Sequence, residues 1–226
     1  MRIRAALFDV YGTLLDVYSV TRCAEALFPG HGTRLAVVWR DKQIEYSRLR
    51  TLSGRYVPFS QVTRDALEFA LDVLKLSHTD AQRQELMDEY RRLAPFLDVA
   101  RELETLRKGG VELGVLSNGD PEMLEASLVG AGLHRYLDIV LSADQVRAFK
   151  TDATVYALGP RALKRPAREI LFVSSNGWDA CGATWYGYTT CWINRAGLPL
   201  ERLGVQPNRI GTDLTTVTEF LLKEYA

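Results

Sequence analysis

A chain of 226 residues can bury a sizeable core, and 47% hydrophobic with 25% charged residues is ordinary for a globular protein. Its 28 basic and 28 acidic residues balance to a formal net charge of +0, which removes the electrostatic footprint of a nucleic-acid or anionic-membrane binder. Any bound anion must therefore be held by individually placed groups.

The three cysteines, Cys23, Cys181 and Cys191, are scattered without a CxxC pair. That argues against a disulfide framework or a zinc site and fits a reducing compartment. Met1-Arg2-Ile3-Arg4 followed by an apolar run has the look of a signal peptide, but Asp9 cuts the run short. Gly12-Thr13 offers no small-residue cleavage site, and no apolar stretch is long enough to span a bilayer. A cytoplasmic protein with no membrane partner is the expectation.

Taken in chain order, residues 3–8 predict a strand buried on both faces. Consecutive helices follow at 20–27, ending at Pro29-Gly30, then at 34–52, 61–76 and 80–93, with Thr79 and Gln82 as a capping box for the fourth. Asp98 is the expected cap of a helix ending at Gly109-Gly110, and Asp120-Pro121 opens another with proline at its first position. Further apolar runs at 111–116, 137–141, 170–173 and 189–193 read as strands, and Asp213 starts a last helix toward Leu222. Alternating strands and helices predict an α/β fold with a doubly wound parallel sheet. Residues 16–95 break the alternation, so they read as an inserted α-helical cap on a core made of residues 1–15 and 96–226.

Ligands of such sheets bind at the carboxyl ends of the strands. Those ends carry Asp9-Val10-Tyr11-Gly12-Thr13, Ser117-Asn118-Gly119, a segment with Lys150, and Ser174-Ser175-Asn176-Gly177-Trp178-Asp179. Each is explicable alone as turn or cap chemistry. Together they put acids, a lysine, hydroxyls and an amide on one edge of the sheet.

These motifs resemble the haloacid dehalogenase superfamily, and within it the L-2-haloacid dehalogenase branch. The likeness extends through Trp39-Arg40-Asp41-Lys42-Gln43-Ile44-Glu45-Tyr46, Arg55-Tyr56 and Cys191-Trp192-Ile193-Asn194-Arg195. It implies a hydrolase that works without a metal or cofactor, with a small 2-haloacid as substrate and halide as product. Asp9 is then the nucleophile and Lys150 the cation that favours its ionised form. Asp179 activates or orients the hydrolytic water with Ser174 and Asn176, or else only positions Lys150. Thr13 bonds Asp9, Tyr156 bonds near the substrate, and Ser117 with the Asn118 backbone N–H takes the substrate carboxylate. Arg40, sharing a helix face with Val37 and Ile44, reaches from the cap to receive the halide. Tyr11, Ile44, Phe59 and Trp178 wall the pocket. Related enzymes often form homodimers through the cap, and the resemblance leaves that assembly open.

Phosphatases of the superfamily carry a second aspartate two residues after the nucleophile, as acid for a leaving alkoxide. Here Tyr11 stands there, and a departing halide needs no proton. The fourth motif offers Asn176 and one acid, Asp179, which is a thin ligand set for magnesium. A metal-dependent phosphatase and a catalytically idle binding protein remain the rivals. An NAD oxidoreductase is set aside because no GxGxxG follows the first strand. Three departures bear on rate and specificity: Thr151 follows Lys150 where proline is usual, Asp41 adds charge beside Arg40, and Gly159-Pro160 should interrupt the helix carrying Tyr156.

Overall fold

The computed structural model describes residues 3–224, so Met1 and Arg2 of the basic N-terminus lie outside the described residues. Five strands fall on the five apolar runs: β1 (Ala5–Phe8), β2 (Glu112–Ser117), β3 (Ile139–Ser142), β4 (Ile170–Ser174) and β5 (Thr189–Ile193). A sixth, β6 (Arg209–Gly211), is short and largely exposed, and with no apolar run to mark it the sequence did not predict it. All five strand pairs are parallel, in the order β3-β2-β1-β4-β5-β6. The order reverses on either side of β1 and β4, which makes their carboxyl ends the crevice of a doubly wound sheet.

Alternation along β1 feeds both faces. Ala5 and Leu7 pack with Phe172, Tyr156 and Tyr188 on one side, while Ala6 and Phe8 join the larger cluster on the other. Every residue of β1 is buried, as expected for a central parallel strand covered on both sides.

Between β1 and β2 come α1 (Thr21–Leu27), α2 (Gly32–Leu52), α3 (Phe59–Val73), α4 (Asp80–Tyr90) and α5 (Val99–Lys108). The capping box holds: Gln82 N donates to Thr79 Oγ1 at 3.2 Å, and Thr79 N donates to Gln82 Oε1 at 2.9 Å. The block α1–α4 enters and leaves through two adjacent segments. Asp16 N donates to Ala94 O at 2.8 Å and Phe96 N to Leu14 O at 3.1 Å, around a Leu15–Pro95 bridge.

Then follow α6 (Pro121–Gly130), α7 (Ala153–Tyr156), α8 (Leu158–Leu163), α9 (Gly177–Tyr186) and α10 (Thr215–Glu219), the last continuing as a π-helical turn. Asp120 caps α6 by accepting from Met123 N at 3.1 Å, with Pro121 at the first position. Asp98 does not cap α5. Its carboxylate is taken by Arg195, at 2.9 and 3.0 Å, and by Leu214 N at 2.8 Å, because a bidentate guanidinium outcompetes a single amide. That pairing holds the Asp98 carboxyl below the usual carboxylate range although burial opposes it. The interruption expected near Gly159-Pro160 appears as the break between α7 and α8. A Cβ on Gly159 would run into the Tyr188 hydroxyl and Leu7, so glycine serves close packing of helix on sheet there. Among the described residues no helix is long and apolar enough to cross a membrane.

Candidate active site

The first strand ends by passing Asp9 into the ladder, its N–H donating to Val173 O at 2.9 Å. The chain must then turn sharply, and Gly12 takes a φ of 95°, a conformation L side chains rarely adopt. This turn brings Thr13 back beside Asp9. The Thr13 hydroxyl donates to Asp9 Oδ2 at 2.9 Å and accepts from Ser175 N at 2.8 Å, so it ties the β1 turn to the end of β4. Asn176 Nδ2 donates to the same Oδ2 at 2.8 Å. Two neutral donors therefore converge on one oxygen of Asp9.

The other oxygen faces Lys150. Its Nζ lies 3.0 Å from Asp9 Oδ1 and 2.9 Å from Asp179 Oδ2, in a site where the lysine is 1% exposed. Phe172 lies beneath the ammonium, 4.9 Å from ring centroid to Nζ. Burial works against the charged amine, but Asp179 and Asp9 outweigh it and raise the lysine's proton affinity above its ordinary value. Asp179 is fully buried, and burial raises its carboxyl affinity for protons although Lys150 opposes the shift. Its remaining oxygen, Oδ1, accepts from the Tyr156 hydroxyl at 2.7 Å, so both of its oxygens are occupied. Asn118 Oδ1 accepts from Lys150 N at 2.9 Å and holds the backbone that presents the lysine. An ammonium between the two acids, with an O–H and an N–H aimed at Asp9, is a poor set for a divalent cation. Hard cations require acceptors where this site supplies donors.

Arg40 arrives from α2. It is 8% exposed, and its Nη2 donates to Tyr11 O at 3.0 Å and to Asn176 Oδ1 at 3.3 Å, while Nη1 donates to Gln43 Oε1 at 2.7 Å. All three acceptors are neutral, so the guanidinium keeps its full charge. The face that buries Arg40 differs from the expected one. Val37 is 39% exposed, and Ala36, Trp39, Gln43 and Ser47 share Arg40's buried side, because the helix packs on that stripe against α3 and the sheet edge.

Asp9, Tyr11, Arg40, Ile44, Ser47, Phe59, Ser117, Asn118, Asn176 and Trp178 line one small cavity. Its free space is about 10 Å³, roughly the room of one water. Nine of these ten residues were expected from the sequence; Ser47 was not, although it lies seven residues after Arg40 on the same helix face. Thr13, Lys150, Tyr156, Ser174 and Asp179 lie behind Asp9 rather than on the cavity wall. The Ser174 hydroxyl accepts from Asn176 N at 3.1 Å, which holds the backbone that presents Asn176. The Ser117 hydroxyl accepts from Gly119 N at 3.2 Å. Tyr11 turns its hydroxyl toward Ser127 Oγ, 3.4 Å away, and its ring packs against Phe59 and Tyr90. Burial pushes that phenol far up, so it stays neutral. The Arg48 guanidinium stacks 4.7 Å from the Trp178 ring centroid and braces that wall from outside. Asp41 is exposed and lines the outer rim beside Arg40, Ile44 and Trp178.

Three further bonds close the helical block onto the sheet. Ser60 N donates to Asp120 Oδ2 at 2.8 Å, Tyr56 Oη to Asp144 Oδ1 at 2.5 Å, and Phe149 N to Thr51 Oγ1 at 2.9 Å. Asp120 and Arg195 are thus structural links that the strand-end reading missed, since their partners lie about 60 and 97 residues away in the chain.

A family model for haloacid dehalogenase-like hydrolases matches residues 3–187. The chain belongs to that family. Among its dehalogenase-like relatives, the (S)-2-haloacid dehalogenase of Pseudomonas sp. (strain YL) is 47% identical over 218 residues, covering 96% of this chain and 94% of that one. A crystal structure of an L-2-haloacid dehalogenase is 51% identical with a TM-score of 0.95, covering 98% and 99% of the two chains. The L-2-haloacid dehalogenase of Xanthobacter autotrophicus with chloropropionic acid covalently bound is 35% identical with a TM-score of 0.89, covering 97% and 98%.

Proposed function

We propose that the protein is an (S)-2-haloacid dehalogenase that converts short 2-haloalkanoic acids to 2-hydroxy acids with inversion. The observation that carries this reading is that Asp9 and Arg40, one from the sheet and one from the helical block, line the same small cavity. Its relatives are haloacid dehalogenases over nearly their whole length, and one of them holds chloropropionic acid covalently.

Oδ1 of Asp9 has a single donor and serves as nucleophile. It bonds to the substrate Cα as the carbon–halogen bond breaks, and the electron pair leaves with the halide toward Arg40. Water then adds to the Asp9 carboxyl carbon. The developing oxyanion is stabilised at Oδ2 by Thr13 and Asn176, donors already in place. The bond from the carboxyl carbon to the alkoxy oxygen breaks, the hydroxy acid departs, and Asp9 is regenerated. Asp179, with both oxygens occupied behind Asp9, acts by positioning Lys150, and the proton given up by the attacking water passes to the departing alkoxide. Ser117 and the Asn118 N–H sit on the cavity wall where the substrate carboxylate can dock. Tyr11, Ile44, Phe59 and Trp178 exclude bulk water.

We further propose residues 16–95 as a cap that moves on the paired segments around Leu15 and Pro95. A cavity with room for one water admits no haloacid until the cap lifts, breaking the Ser60–Asp120, Tyr56–Asp144 and Thr51–Phe149 bonds. The donors around Asp9, with Lys150 between the two acids, support a reaction that proceeds without a metal, and Tyr11 leaves no general acid for a phosphate ester.

A single turnover in ¹⁸O-water, with enzyme in excess, tests the route. The label is expected in Asp9, and label in the first hydroxy acid formed would falsify the ester. Arg40→Lys is expected to lower turnover of (S)-2-chloropropionate by about 100-fold, since the planar fork that spans Tyr11 O and Gln43 is lost. Halide-release kinetics check this, and turnover within threefold of the parent would remove Arg40 from the mechanism.

A further inference from the structure

Arg40 needs more than a place on the rim, because a long flexible side chain aimed at a transient anion must be held before the anion forms. What holds it is a polar chain inside the helical block. Gln43 is fully buried, one turn along α2 from Arg40. Its Oε1 accepts from Arg40 Nη1 at 2.7 Å and from the Tyr90 hydroxyl at 2.9 Å, and its Nε2 donates to Thr63 Oγ1 at 2.7 Å. The Thr63 hydroxyl in turn donates to Phe59 O at 2.8 Å. That last bond decides the orientation of the amide. Thr63 spends its one proton on Phe59, so it can only accept from Gln43, and Oε1 is left facing Arg40.

We infer that Gln43 is a positioning residue for halide departure, locked by Thr63 and Tyr90, an inference that rests on Arg40 receiving the halide. Its neutrality is the functional point. Gln43 fixes the guanidinium by hydrogen bonding without cancelling its charge, where an isosteric glutamate would pair with Arg40 and weaken its pull on the anion. The three residues come from α2, α3 and α4, so the helical block builds the halide receiver as one rigid unit and delivers it to the sheet on closing. Phe59, whose carbonyl anchors Thr63, also walls the cavity, which couples the chain to the pocket itself.

Gln43→Glu preserves the shape and is expected to lower kcat on (S)-2-chloropropionate by about 100-fold, with KM changed by less than about threefold. Bromide leaves more readily than chloride and needs less help, so the ratio of bromo- to chloropropionate turnover should rise. Thr63→Val, which loses the anchor, should move the ratio the same way by a smaller amount, and Thr63→Ser should restore it. A packing role alone predicts lower thermal stability in these variants with an unchanged ratio. Should Gln43→Glu fail to fold, the Thr63 pair decides the outcome. Parental turnover and an unchanged ratio in the folded Gln43→Glu, or an unchanged ratio in Thr63→Val, would overturn the inference. Arg40→Lys separates the two levels: if it also leaves turnover and ratio unmoved, Arg40 itself is not the receiver. If it lowers turnover and raises the ratio while Gln43→Glu does neither, only the positioning role fails.

Discussion

An Asp9→Asn variant is expected to lose at least ~10,000-fold in halide release, with KM changed little, because the nucleophile itself is gone. An amide oxygen is a far weaker nucleophile than a carboxylate at an sp³ carbon. The site also fits the amide poorly. Lys150 donates to one oxygen, and Thr13 and Asn176 donate to the other, so an NH₂ group meets a donor whichever way it turns. Halide release, with thermal melting as the control for folding, checks this. Turnover within tenfold of the parent would remove Asp9 from the nucleophile's place.

Replacing Lys150 by Met should have the largest effect on stability. The ammonium lies within 3.0 Å of both Asp9 and Asp179. Its removal leaves two buried carboxylates facing each other, a loss of roughly 3–5 kcal/mol by the general behaviour of broken buried pairs. The sign with pH follows from the directions of the shifts. Lys150 has its proton affinity raised, so its contribution is fully present below the ordinary lysine value of 10.5 and disappears as pH rises through its higher folded value. Asp179 is raised from 3.8, so its ionised form weighs against folding as pH rises through its folded value. The gap between parent and Lys150→Met should therefore narrow as pH falls toward 4, where protonation relieves the unpaired acids. Asp179→Asn should cost far less, because it leaves Asp9 and Lys150 as a balanced pair. Urea denaturation across pH measures both, and a Lys150→Met variant as stable as the parent at pH 7 would contradict this account.

Much of the site was legible because doubly wound sheets collect chemistry at strand ends. Once the apolar runs were recognised as strands, Asp9, Ser117, Asn118, Asn176 and Asp179 stood at or just past those ends, whereas Lys150, eight residues beyond β3, was singled out by the family resemblance. Arg40 was harder. The resemblance supplied its role, but the helix face argued for it was partly wrong, since Val37 is exposed and Gln43 and Ser47 share Arg40's buried side. Asp98 misled for a related reason. An aspartate before a helix looks like a cap, and its actual partner, Arg195, lies 97 residues later. Local propensity cannot see such a partner.

The sequence by itself determined the alternation of elements, the parallel sheet and the group of reactive residues, since strand periodicity, cap chemistry and turn glycines act within a few residues. It also placed Tyr11 two residues after Asp9, where the superfamily's phosphatases carry a second aspartate. Only the tertiary structure decided how the charges pair: Lys150 between two acids, both Asp179 oxygens occupied, and Arg40 brought from the helical block to Tyr11 O and Asn176. Pairing of that kind depends on distances between residues 23 to 141 positions apart in the chain, and chain closure settles those.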